Sequence, residues 1–173
     1  MGTRAPLLVL GVGNVLLRDD GVGVYLAQEL SKLSWPSSVE VVDGGTLGLG
    51  LLPLVEGRRA LILLDAMRSQ EGQAAVRWLA WPKDVKGSFL RGLSGHEGGS
   101  LPLILAAEFT GCLPKEVWLG AIGVGVVETG FGLSEGLAAR WTGLLEEVAA
   151  FVAKIAGRLS VGSEETVADT GLA

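Results

Sequence analysis

The feature that most constrains the fold of this chain is a series of short apolar runs, each bounded by glycine or by charged residues. Short runs rich in Val, Ile and Leu are typical of buried parallel β-strands. Patterns with helical spacing separate several of these runs, and a long amphipathic pattern follows the last one. We predict strands over 7–12, 40–42, 60–64, 75–81 and 117–124, and helices over 21–33, 47–56, 100–109 and 134–155.

This alternation of strands and helices predicts an α/β protein. We expect a three-layer α/β/α sandwich, in which a twisted, mostly parallel five-stranded sheet carries helices on both faces. A length of 173 residues corresponds to one domain. We assign residues 1–157 to that domain and residues 158–173, which are small, polar and acidic, to a flexible C-terminal tail. Ser100 is predicted to cap the helix that starts there.

Composition excludes several classes of partner. The chain has 19 acidic and 14 basic residues, a net charge of −5, and therefore no basic surface for nucleic acid. Its single cysteine, Cys112, excludes an internal disulfide or a cysteine-based zinc cluster, and we expect it to be buried in a reducing compartment. No apolar run reaches the roughly 20 residues of a membrane-spanning helix. We predict a cytoplasmic monomer without membrane insertion.

Polar residues follow the predicted strands at the points where ligands bind in open α/β sheets. Asp20 follows the first strand, Asp65 ends the third, and His96, the only histidine, lies in a glycine-rich loop. A carboxylate behind an apolar run must be paired, protonated or metal-bound. Two carboxylates and an imidazole suit a divalent ion such as Ni, Zn or Mn. Each residue also has an ordinary interpretation, as a helix cap, an edge carboxylate and a loop residue respectively.

Nucleotide binding is not expected. The segment GVGNVL lacks the third glycine of a dinucleotide fingerprint, because Leu16 stands at that position. Asp19 and Asp20 begin the next helix, where they would repel a pyrophosphate. The chain also lacks a Walker loop.

The segment G-V-G-N-V-L-L-R-D-D-G-V-G at 11–23 resembles the opening motif of the hydrogenase maturation endopeptidases. These proteases remove a C-terminal extension from the large subunit of [NiFe] hydrogenases. The resemblance continues through D-G-G-T at 43–46, L-I-L-L-D-A at 61–66, the loop around His96 and G-L-S at 132–134. It covers about 7–155 and implies a five-stranded sheet between helices.

The resemblance implies that Asp20, Asp65 and His96 are the catalytic residues and coordinate a divalent metal, the nickel already inserted in the precursor. Water could be activated by that metal as a Lewis acid or by a free carboxylate as a base. Spare carboxylates for this role are Asp19, Asp43 and Glu97. The turn that binds the substrate backbone is expected to consist of Asp43, Gly44, Gly45 and Thr46. The alternative is a non-enzymatic nickel-recognising chaperone that holds the precursor without cutting it.

Overall fold

The computed structural model describes residues 4–69, 74–85 and 99–164. Its strands are β1 (Leu7–Val12), β2 (Val39–Gly45), β3 (Ala60–Arg68), β4 (Val76–Ala80) and β5 (Glu116–Val124). Its α-helices are α1 (Val22–Leu30), α2 (Leu52–Val55), α3 (Ser100–Phe109), α4 (Glu135–Ala138) and α5 (Trp141–Glu164). Short 3-10 turns at Arg18–Gly21 and Gly48–Leu51 precede α1 and α2.

The five strands form one sheet in the order β2-β1-β3-β5-β4. Neighbouring strands are parallel except β4, which runs antiparallel to β5. The predicted mostly parallel five-stranded sheet is therefore confirmed. The chain passes from β1 to β2 on one side and returns to β3 on the other, so the strand order reverses between β1 and β3. Such a reversal opens a crevice at the carboxyl ends of the two strands.

Two apolar cores cover the faces of the sheet because side chains alternate along each strand. Leu7 and Val9 of β1 pack with α1 and α5 on one face. Leu8 and Leu10 pack with α2 and α3 on the other. All six residues of β1 are buried, as expected for a central strand between two helical layers. The result is the predicted three-layer sandwich.

Several element boundaries differ from the predictions. Strand β3 continues to Arg68 because β5 runs beside it as far as Val124, so Asp65 lies inside the strand and not at its end. The predicted helix over 134–155 is two helices, α4 and α5. Helix α5 continues to Glu164, whereas the tail was predicted to begin at residue 158, and the helix is anchored there because Leu159 is buried.

Two further observations bear on the expectations from composition. Cys112 is a free cysteine and is only half-buried, because it lies just beyond the end of α3 near the surface. Within the described segments, no helix combines the length and apolar character needed to cross a membrane.

Candidate active site at the carboxyl edge of the sheet

Glycines bring the loop after β1 into close contact with β3. A Cβ atom on Gly23, at the start of α1, would lie 2.2 Å from the carbonyl oxygen of Leu64. Gly13 has φ +141°, and a Cβ atom there would lie 2.1 Å from the carbonyl oxygen of Asp20. Only glycine allows both approaches. The glycine spacing therefore places the Asp20 turn against the strand that carries Asp65.

The turn that presents Asp20 is attached to the loop after β5. Leu17 forms an isolated parallel bridge with Gly130. In this bridge the amide of Arg18 donates to the Gly130 carbonyl at 3.1 Å, and the amide of Gly130 donates to the Leu16 carbonyl at 2.9 Å. Arg18 has φ 53°, a left-handed conformation that a side-chain-bearing residue keeps only when its surroundings impose it. The backbone reversal at Arg18 directs the two following aspartates into the molecule.

Asp20 is almost completely buried, with 3% of its surface exposed. Its Oδ2 accepts a hydrogen bond from the backbone amide of Asn14 at 3.0 Å. The side chain of Asn14 in turn accepts the amide of Leu16 at 3.0 Å, which closes the loop. Asn14 therefore organises the loop after β1, and that loop fixes the carboxylate of Asp20.

Asp65 has no exposed surface. The amide and the hydroxyl of Ser100 both donate to its Oδ2, at 3.1 and 2.7 Å. Burial raises the pKa of Asp65 from 3.8 to about 6, the two hydrogen bonds from Ser100 oppose this increase, and the charge of Asp20 adds to it. The structure thus brings Asp20 and Asp65 close enough for their charges to interact.

Ser100 does not act as the predicted N-cap. Gly99 occupies the cap position without a side-chain cap hydrogen bond, and Ser100 is the first residue of α3. Because its amide and hydroxyl donate to Asp65, the positive end of the α3 dipole is directed at a buried carboxylate. Sequence reasoning missed this role, although an apolar strand that contains an aspartate requires such a donor.

Asp19 differs from its neighbour. The amide and hydroxyl of Ser134 donate to its two carboxylate oxygens at 2.6 and 2.8 Å, and the amide of Val126 donates at 3.3 Å. Asp19 is 1% exposed and ties the turn to the start of α4. Both of its oxygens accept hydrogen bonds, so Asp19 holds the turn in place, and its use as a spare carboxylate stays a prediction.

The segment predicted to bind the substrate backbone forms the end of β2 and the following residue. The amide of Gly45 donates to Asp43 Oδ1 at 3.0 Å, and Gln28 donates to Asp43 Oδ2 at 2.8 Å. Gly44 is buried, whereas Thr46 is exposed. This segment lies on the opposite side of β1 from β3. Gly45 therefore uses its amide internally, and the exposed residues of the segment are Asp43 and Thr46. Binding of the substrate backbone by this segment stays a prediction.

The donor chemistry of the two aspartates suits a divalent cation. Such an ion would neutralise the repulsion between two buried carboxylates, whose oxygens are ligands for many divalent metals. His96 and Glu97 lie outside the described residues. Over 4–69, 74–85 and 99–164, no group of three His, Cys, Asp or Glu side chains is placed to hold a metal ion. The complete triad with His96 stays a prediction.

Comparisons with known proteins place the chain in a class of peptidases. Residues 24–150 match the family model HycI, described as hydrogenase maturation protease. The chain is 34% identical over 145 residues to the hydrogenase 2 maturation protease of Escherichia coli K12, covering 83% of this chain and 88% of that protein. The structure of the hydrogenase maturating endopeptidase HybD from E. coli superposes with a TM-score of 0.71 at 32% identity, covering 86% and 92% of the two chains.

Another relative is the hydrogenase expression/formation protein HupD of Rhodobacter capsulatus. It is 35% identical over 116 residues, which are 65% of this chain and 54% of that protein. The family-model match begins within α1, covers β2 to β5 and α4, and ends within α5. The chain belongs to the hydrogenase maturation protease family.

Proposed function

We propose that this protein is an endopeptidase that removes a C-terminal extension from the nickel-loaded large-subunit precursor of a [NiFe] hydrogenase, acting as a cytoplasmic monomer. The observation that carries the proposal is the pair of buried carboxylates, Asp20 and Asp65, at the reversal of strand order between β1 and β3. The names of the relatives supply the hydrogenase context.

In this proposal the nickel belongs to the precursor and is part of the substrate. Asp20, Asp65 and His96 bind at its open coordination positions and so place the scissile peptide at the crevice. When bound, the ion supplies Lewis-acid polarisation of a carbonyl. The enzyme contributes ligands that are already oriented, because Asn14 fixes Asp20 and Ser100 fixes Asp65.

Hydrolysis of the peptide bond requires that water adds to the carbonyl carbon and that the C–N bond breaks, with a proton delivered to the leaving amine. A carboxylate that accepts a proton from this water needs a lone pair available to it. Asp19, Asp43 and Glu97 are the candidates for this role besides the two site aspartates.

The test is the intact mass of the precursor after incubation with the enzyme, measured for nickel-loaded and nickel-free precursor. We expect the nickel-loaded precursor to lose the mass of its C-terminal extension and the nickel-free precursor to keep its mass. A stable complex with unchanged precursor mass would contradict the proposal and favour the chaperone. Equal cleavage of both forms would contradict the role of nickel and favour a mechanism that uses carboxylates alone.

A further inference from the structure

A cavity of about 370 Å³ opens beside the turn that presents Asp20. It lies between α1, the loop after β5 and the adjoining ends of α4 and α5. The cavity walls include two aromatic residues and one acidic residue, and the lining residues are Tyr25, Glu29, Gly132, Leu133, Ala138 and Trp141. Its volume is at the small end of the range for ligand pockets, which suits a single large side chain better than a cofactor.

Residues that line the cavity also contact the turn that presents Asp20, or adjoin residues that hold it. The hydroxyl oxygen of Tyr25 accepts the amide of Gly132 at 3.3 Å. The ring of Tyr25 also lies against Gly21, where an added Cβ atom would come within 3.1 Å of it. Leu133 precedes Ser134, which holds Asp19. A group bound in the cavity therefore lies next to the segment that positions Asp20.

The chemistry of the lining indicates a positively charged occupant. Aromatic faces attract cations, and a carboxylate at the same site adds charge complementarity. Glu29 pairs with Lys32 at 2.6 Å, but this is an (i, i+3) surface pair whose side chains are 38% and 66% exposed. Such pairs contribute little, so an incoming cation can replace Lys32.

Two apolar side chains next to the loop that lines the cavity are exposed. Phe131, which precedes the lining residue Gly132, is 79% exposed, and Leu16, whose carbonyl accepts the amide of Gly130, is 51% exposed. A free cation in solution would leave both side chains in water. A polypeptide that carries the cation would cover them, which removes apolar surface from water.

We propose that this cavity binds the side chain of an arginine or lysine presented by another polypeptide. Binding of the cation stands on the cavity alone. Its use to position the precursor for cleavage rests on the proposed function.

The binding test uses the peptide acetyl-Gly-Arg-Gly-amide and its neutral isostere with citrulline in place of arginine. The readout is the indole N–H resonance of Trp141, assigned with Trp141→Phe, during titration of the full-length protein. We expect a saturable shift with the arginine peptide and none with the citrulline peptide. Equal shifts with both peptides, or no saturable shift with arginine, would overturn the proposal.

Three variants sharpen the test because they predict different directions. Glu29→Gln should weaken arginine-peptide binding about twofold to fivefold, since it removes a partly exposed carboxylate and keeps the shape. Lys32→Gln should strengthen binding about twofold to threefold, since it removes the internal competitor. Glu146→Gln, an exposed position on α5, makes the same charge change away from the cavity and should leave binding unchanged. Equal weakening by Glu29→Gln and Glu146→Gln would show that binding depends only on the net charge of the protein. That result would contradict the cavity as the binding site.

The precursor assay separates the cavity from the proposed function. If the cavity positions the substrate, Glu29→Gln should raise KM for the nickel-loaded precursor several-fold with kcat nearly unchanged. An unchanged KM, together with weakened peptide binding, would contradict a role in precursor recognition and retain the cation site. Absence of cleavage by the wild-type enzyme would contradict the proposed function without affecting the peptide result.

Discussion

Two buried aspartates in this molecule receive the same pair of donors and serve different ends. Asp19 accepts the amide and hydroxyl of Ser134, and Asp65 accepts the amide and hydroxyl of Ser100. Each also has a third donor, the backbone of Val126 for Asp19 and of Ala66 for Asp65, but only Asp19 joins two loops through its donors. Asp65 lies inside a central strand, where the charge of Asp20 acts on it and its pKa is raised to about 6.

The comparison shows that a serine at a helix start does not by itself decide what a buried carboxylate does. Asp19 is part of the scaffold because its hydrogen bonds connect the turn after β1 to the loop after β5. The apolar strand and the second carboxylate leave Asp65 with an unfavourable charge at neutral pH. Such an energetic cost at a crevice is typical of a functional site.

The largest expected effect is on the pH dependence of stability. The pKa of Asp65 is about 6 in the folded protein and 3.8 as its ordinary value, so the folded state binds more protons between these pH values. The contribution of Asp65 to stability is therefore most favourable below about pH 4 and falls as the pH rises through 6. Asp65→Asn removes this loss. The change that the substitution causes in the free energy of unfolding should therefore be more favourable at pH 7 than at pH 4 by about 2 to 3 kcal/mol.

Urea denaturation of the wild type and the variant at pH 4 and pH 7 measures this difference. Other carboxylates titrate in both proteins and cancel in the comparison. Asp19→Asn is the control at the other aspartate–serine pair, and it should destabilise the protein at pH 7 because it disturbs three hydrogen bonds. A destabilised Asp65→Asn at pH 7 would contradict the contrast between the two aspartates.

Metal binding should depend on the predicted site that contains Asp65 and not on the hydrogen bonds of Asp19. Asp20→Ala and His96→Ala should each weaken binding of added Ni²⁺ about tenfold to a hundredfold, because each removes one of three predicted ligands. Calorimetric titration of Ni²⁺ measures the change. Asp43→Asn, at the same edge beyond β1, is the matched control and should retain the wild-type affinity. Wild-type affinity in His96→Ala would show that His96 is not a ligand, and we expect that variant to keep its melting temperature.

The smallest expected effects compare the two serines directly. Ser100→Ala and Ser134→Ala each remove one hydroxyl donor and should each cost about 1 kcal/mol of stability at pH 7. Only Ser100→Ala should also raise the pKa of Asp65, because the Ser100 hydrogen bonds lower it. The pH dependence of the free energy of unfolding distinguishes the two variants. Only in Ser100→Ala should the loss of stability that accompanies ionisation of Asp65 move to higher pH. Identical pH profiles would contradict the separate roles of the pairs.

Sequence patterns predicted the sheet, and they predicted that Asp20 and Asp65 lie at one edge, since parallel strands end on the same side. They did not predict the donors. Ser100 lies 35 residues from Asp65, and Ser134 lies 115 residues from Asp19. Contacts over such separations depend on how the strands and loops pack, and no local pattern encodes them. For the same reason the sequence did not predict that Asp65 lies inside β3. The strand continues past the apolar run because β5 pairs with it as far as Arg68.

We infer that Asp65 serves cleavage at a cost in stability. A direct test is the rate at which folded Asp65→Asn cleaves nickel-loaded precursor, measured beside the wild type and Ser134→Ala. We expect the rate to fall at least about a hundredfold for Asp65→Asn, in a protein at least as stable as the wild type at pH 7, and to stay nearly unchanged for Ser134→Ala. Cleavage by Asp65→Asn at the wild-type rate would leave Asp65 with a structural role only.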